Sequence, residues 1–134
     1  MANAFCTAGK EALLDALTSH TWKAALYTSA ASLNADTATY TTTHEVANGS
    51  GYTAGGKTLS GTSADSGSDM AWLDFSDVTW TTASFSARYM LIYDASDSDR
   101  AYAVIDFGMD KTGQGGDFTF VFPTPDANNA IIRL

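Results

Sequence analysis

One cysteine, two prolines, two histidines and seven basic residues leave this chain without the usual materials of several protein classes. Cys6 stands alone, so no disulfide can close within the chain. It reads as a small buried apolar residue, because a reactive thiol needs cations around it and only Lys10 stands one helical turn away. His20 and His44 form no metal-spaced pair, and neither HExxH nor CxxC occurs. Fifteen acidic against seven basic residues give a net charge of −8 and a pI near 4.3. That gives little support to a role on nucleic acid, and an anionic membrane would repel the chain. No stretch approaches the ~18 apolar residues of a membrane-crossing helix. No basic segment followed by an apolar run opens the chain, so the reading predicts no signal peptide and a soluble product of a cytoplasm.

What is present is ordinary globular material: 45% hydrophobic residues over 134 positions, read as one domain spanning 1–134. The stretch Phe85–Phe107 dominates. Its apolar runs Tyr89–Tyr93 and Tyr102–Phe107 flank an acidic link, Asp94 to Arg100, which is a hairpin signal. Both runs are apolar at nearly every position, which predicts a central pair covered on both faces.

Around it, residues 1–9 form an N-terminal arm running into one short helix. Thr7 is its cap, and Ala8, Ala12, Leu13, Ala16 and Leu17 lie on its apolar face. Trp22–Thr28 reads as a strand. Residues 29–56 are a polar surface excursion with spaced anchors at Leu33, Tyr40, Val46 and Tyr52 and a helical turn at Thr42–Ala47. So long a connection is uncommon in a compact domain and is often functional. Lys57–Thr62 is a weak strand, Ser63–Ser68 a turn, and Asp69–Phe75 and Val78–Thr81 are strands. Gly108–Asp117 reads as a flexible loop, Phe118–Phe122 and Ala130–Leu134 as strands, and Pro123 and Pro125 mark a turn between them. About eight short strands and one helix predict a mainly β fold, an antiparallel β-sandwich, of which the jelly roll is one topology.

Chemistry is sparse. Asp94, Asp97 and Asp99 are the best carboxylate cluster for a calcium ion, although the EF-hand glycine and terminal glutamate are missing. Asp65, Asp69 and Asp74 repeat the theme more weakly. Gly49, Gly51, Gly55 and Gly56 precede Lys57-Thr58 without the spacing of a phosphate loop. Tyr40, Tyr52 and Trp80 lie near polar segments and are the candidates for stacking against a sugar. No GxSxG elbow is present, and an enzyme is not expected. No cofactor is expected either.

Several segments together carry a resemblance: Trp22–Tyr27, Gly51–Leu59, Ala87–Tyr93, Val104–Gly108, Gly116–Thr119 and Asn129–Arg133. The chain resembles small virion structural proteins of tailed bacteriophages, of the capsid decoration or cement type. The resemblance implies no catalytic residue. It implies a place on the capsid exterior after assembly in the host cytoplasm, with the major capsid protein and copies of itself as partners; a homotrimer would multiply weak contacts. The arm residues Ala2, Asn3 and Phe5, and Leu33, Tyr40 and Tyr52 of the excursion, are the expected interface positions, an extended arm being able to add a strand to a partner's sheet edge. A tail-associated protein or a carbohydrate-binding β-sandwich module are the alternatives.

Overall fold

A computed structural model describes residues 3–134. In chain order the elements are α1 (Thr7–Asp15), β1 (Trp22–Tyr27), β2 (Lys57–Thr58), β3 (Ser63–Gly67), β4 (Met70–Asp74), β5 (Val78–Ala83), β6 (Ser86–Asp94), β7 (Arg100–Thr112), β8 (Gly116–Phe120) and β9 (Ile132–Arg133). The fold is mainly β, with antiparallel sheets and one short helix, as expected. Two compact units form: one gathers the chain up to His20 with Ser60–Ser76 and Val121–Leu134, the other Thr21–Leu59 with Asp77–Phe120.

In the first unit, α1 packs against β3 and β4. The sheet order is β3-β4-β9. Leu14 is the buried residue of α1, whereas Leu13 is 55% exposed. The apolar face read from the sequence is therefore turned outward at Ala8, Ala12, Leu13 and Ala16. Cys6, expected inside, is the exposed residue that precedes α1. The helix is anchored by polar contacts as well: Lys10 Nζ donates to the Asp69 carbonyl at 2.8 Å, and Ser66 Oγ donates to Glu11 Oε2 at 3.0 Å. Ser63–Gly67, expected as a turn, is a strand paired with β4 from Ser63↔Asp74 to Gly67↔Met70. Only Ser68 and Asp69 turn, both at positive φ, as a two-residue hairpin connection demands. Small polar residues have little intrinsic preference for strand, so the partner strand decides here.

The second unit holds a four-stranded sheet, order β2-β1-β6-β7, and the pair β5-β8. Its core is β1 against β6, in register from Trp22↔Asp94 to Tyr27↔Tyr89. Ala24, Ala25, Leu26, Met90, Leu91 and Ile92 are fully buried. Each large apolar side chain among them contributes roughly 1.5–3 kcal/mol by leaving water. The expected hairpin is present, closed by positive φ at Ser98 and Asp99. Its placement differs from the expectation: β6 is interior, but β7 is the last strand of the sheet and has no fully buried position. Gly108–Asp117 is not a loop throughout, because β7 continues to Thr112 and β8 begins at Gly116.

Gly56 shows why this sheet accepts no side chain where β2 begins. Its φ is 81°, and a Cβ there would lie 1.8 Å from the Ala24 carbonyl oxygen. The backbone of the incoming chain thus rests directly on β1.

Candidate functional site

Between β1 and β2, residues 29–56 have no helix or extended strand. The helical turn expected at Thr42–Ala47 is a tight turn, Glu45 N to Thr42 O, with His44 at φ 62°. The segment works as a strap across one face of the four-stranded sheet. At one edge it pairs antiparallel with the end of β1: Val46 N donates to Leu26 O and Thr28 N to His44 O. At the other it covers the start of β7: Ala101 N donates to Ala38 O and Tyr40 N to Asp99 O. Between the edges, Ala31, Leu33 and Tyr40 pack on the cluster of Ala25, Tyr27, Leu91 and Tyr93. Val46 and Tyr52 are buried. All four spaced anchors thus bind inward.

Polar chemistry concentrates under this strap. Glu45 accepts the Tyr40 hydroxyl on Oε1 at 2.6 Å, and the Tyr52 hydroxyl and Gly55 N–H on Oε2, the latter at 2.8 Å. Tyr52 Oη also accepts the Leu26 N–H at 3.0 Å, so it satisfies a buried backbone donor. From the sheet, Tyr27 donates to the Thr41 carbonyl and Tyr93 to the Gly55 carbonyl, both at 2.6 Å. Tyr40 stacks on Tyr93 with centroids 4.8 Å apart. Burial, above all, pushes all four hydroxyls up; for Tyr93 the value is about 12, with the charges of Asp99 and Glu45 adding to it. These tyrosines are neutral donors at ordinary pH.

Glu45, Tyr27 and Tyr93 were not singled out by sequence reasoning. The available signal is that only Asp36 and Glu45 are acidic in a 28-residue polar stretch that follows a strand ending in Tyr27.

Of the expected interface residues, Tyr52 is only 2% exposed and offers nothing to a partner. Leu33 and Tyr40 are half-buried against the sheet. Phe5 is 56% exposed and Asn3 is exposed, while Ala2 lies outside the described residues. The sugar-stacking set dissolves too, since Tyr52 and Trp80 are both in the core. The carboxylates Asp94, Asp97 and Asp99 do not converge. Asp94 is fully buried and accepts Ser96 N and Ser96 Oγ, Asp97 pairs with Arg100 Nε at 2.8 Å, and Asp99 sits in the turn. Among the described residues, no group of three or more His, Cys, Asp and Glu is placed to hold a metal ion.

A second feature of this unit is an open groove of about 370 Å³ where β7 and β8 diverge. Phe107, Phe118 and Phe120 give it an aromatic lining, with Lys111 and Asp117 on its walls. The rings lie 6.1–6.3 Å apart from Phe107 to its two neighbours. Phe118 is held from beneath by Trp80 and Phe85. Among the described strands, β8 pairs with β5 and β7 with β6, so neither ladder continues across the groove. Comparison with family models, with curated proteins and with solved structures finds no match to this chain.

Proposed function

We propose that the protein is a non-enzymatic virion structural protein of a tailed bacteriophage, docking on the exterior of the assembled head as a decoration protein. The observation that carries this reading is the open groove between β7 and β8, lined by three phenylalanines of which Phe118 is held by Trp80 and Phe85. Rigid aromatic rings in a concave setting are the kind of anchor that dominates protein–protein affinity. The net charge of −8 suits the outer surface of a shell better than the side facing packaged DNA. Met109, 58% exposed on β7, adds apolar surface of the same character. Copies joined in a homotrimer would engage several sites at once and attach more firmly than one contact does.

The test is co-sedimentation of the purified chain with assembled heads and with free capsid subunits, followed by imaging of decorated particles. Binding to heads and weak binding to subunits is expected. Phe107→Asp, checked for retained fold by circular dichroism, should weaken head binding by roughly tenfold or more. Equal binding to free subunits, or density on the tail, overturns the head assignment.

A further inference from the structure

We propose that residues 29–56 are a separately opening strap whose latch is Glu45, and that its release uncovers the Tyr93 face of the sheet and the edges of β1 and β7 without melting the β1–β6 ladder. Glu45 joins three points of the strap to itself, at Tyr40, Tyr52 and Gly55. Those same points bind the sheet: Tyr40 through its ring on Tyr93 and its N–H on Asp99, Tyr52 through the Leu26 N–H, Gly55 through the Tyr93 hydroxyl. One carboxylate therefore sets the positions from which the strap meets both sheet edges. Removing its negative charge weakens three charge-assisted bonds at once.

The first half of the strap holds on lightly, whereas its second half is also tied to β5 and the β5–β6 connection, by Ser84 N donating to Ser50 O and by Tyr52 against Trp80 and Phe85. Ser32, Asn34, Ala35, Asp36, Ala38 and Thr39 are exposed, and only Val46 and Tyr52 between Ser29 and Gly56 are buried. The ladder beneath has fully buried residues on both strands. Few buried apolar contacts joined to a strongly packed base is the pattern of a local opening unit with its own, lower stability. The segment also closes pairing edges. Residues 38–40 lie along the start of β7, and 44–46 pair beside the end of β1, past β2 on the same edge. An open strap turns two guarded edges into free ones, which is the condition for strand addition by another chain. The opening of the strap does not depend on the virion reading.

The test is native-state hydrogen exchange on Glu45→Gln and the unaltered chain. In Glu45→Gln, protection should fall roughly 10- to 100-fold at Tyr40, Val46, Gly55 and Ala101 and stay in place across the β1–β6 ladder. Tyr40→Phe, which removes one donor, should give a smaller loss at the same amides. In the unaltered chain, sub-denaturing urea should open the strap amides before the ladder amides; this arm decides the matter if Glu45→Gln fails to fold. Unchanged strap protection in folded Glu45→Gln overturns the latch. Strap and ladder losing protection together, in the variant or in urea, overturns the separate unit.

Discussion

β6 and β7 are neighbours with similar apolar runs and opposite fates. Met90–Asp94 of β6 are all buried, while none of the thirteen residues of β7 is. The difference is position. β6 lies between β1 and β7, so both its edges are paired and its side chains meet neighbours from two directions. β7 is the edge, with residues 38–40 covering its start. Its register against β6 slips twice, between Ile92 and Tyr93 and again between Ala87 and Tyr89. Bulges of this kind twist an edge away from unwanted pairing. Two similar strings of residues therefore become a core strand and a guarded margin.

The largest expected effect tests that contrast directly. Ile92→Ala removes a fully buried side chain between paired strands and should cost about 2–5 kcal/mol in urea denaturation. Ile105→Ala, at a half-buried site on β7, should cost about 1 kcal/mol. Equal costs would mean that β7 is packed as tightly as β6.

A smaller effect comes with alkali. Burial holds the Tyr93 hydroxyl at about 12 against an ordinary value of 10.0. A group whose folded value is raised contributes stability that is complete below the unfolded value and is lost as pH climbs toward the folded one. Stability should hold up to about pH 10 and then decline between pH 10 and 12, with further loss as the tyrosines under the strap ionise. Tyrosinate absorbance followed alongside unfolding should show ionisation and loss of structure rising together. Ionisation of all six tyrosines near the ordinary value of 10.0 with no change in stability would contradict the buried hydroxyl network.

The smallest effect belongs to the ion pair that bridges the same two strands, Arg88 Nε to Asp106 Oδ1 at 2.7 Å. Both groups face solvent, so screening leaves little net gain. Arg88→Ala should leave the thermal midpoint unchanged within error. A clear drop would show that β6 and β7 are joined by charge as well as by their ladder.

The sequence by itself determined the fold class, the Trp22 strand, the central hairpin and the spacing of the strap anchors. These rest on local properties: branched and aromatic runs favour pleated backbone, and Asp-Ser-Asp before Arg100 favours a turn. The anchors Leu33, Tyr40, Val46 and Tyr52 are large apolar residues in a polar stretch, and burial of such residues is expected anywhere they can reach. Tertiary structure alone decided the rest. Ser63–Gly67 became a strand because β4 offered it a ladder, and Leu14 rather than Leu13 went inside because of where α1 meets β3 and β4. Tyr52 changed from an expected contact surface to core because its hydroxyl found both Leu26 N–H and Glu45. Whether an apolar strand is interior or edge, and whether a carboxylate faces water or three donors, depends on partners distant in the chain. No local pattern of residues carries that information.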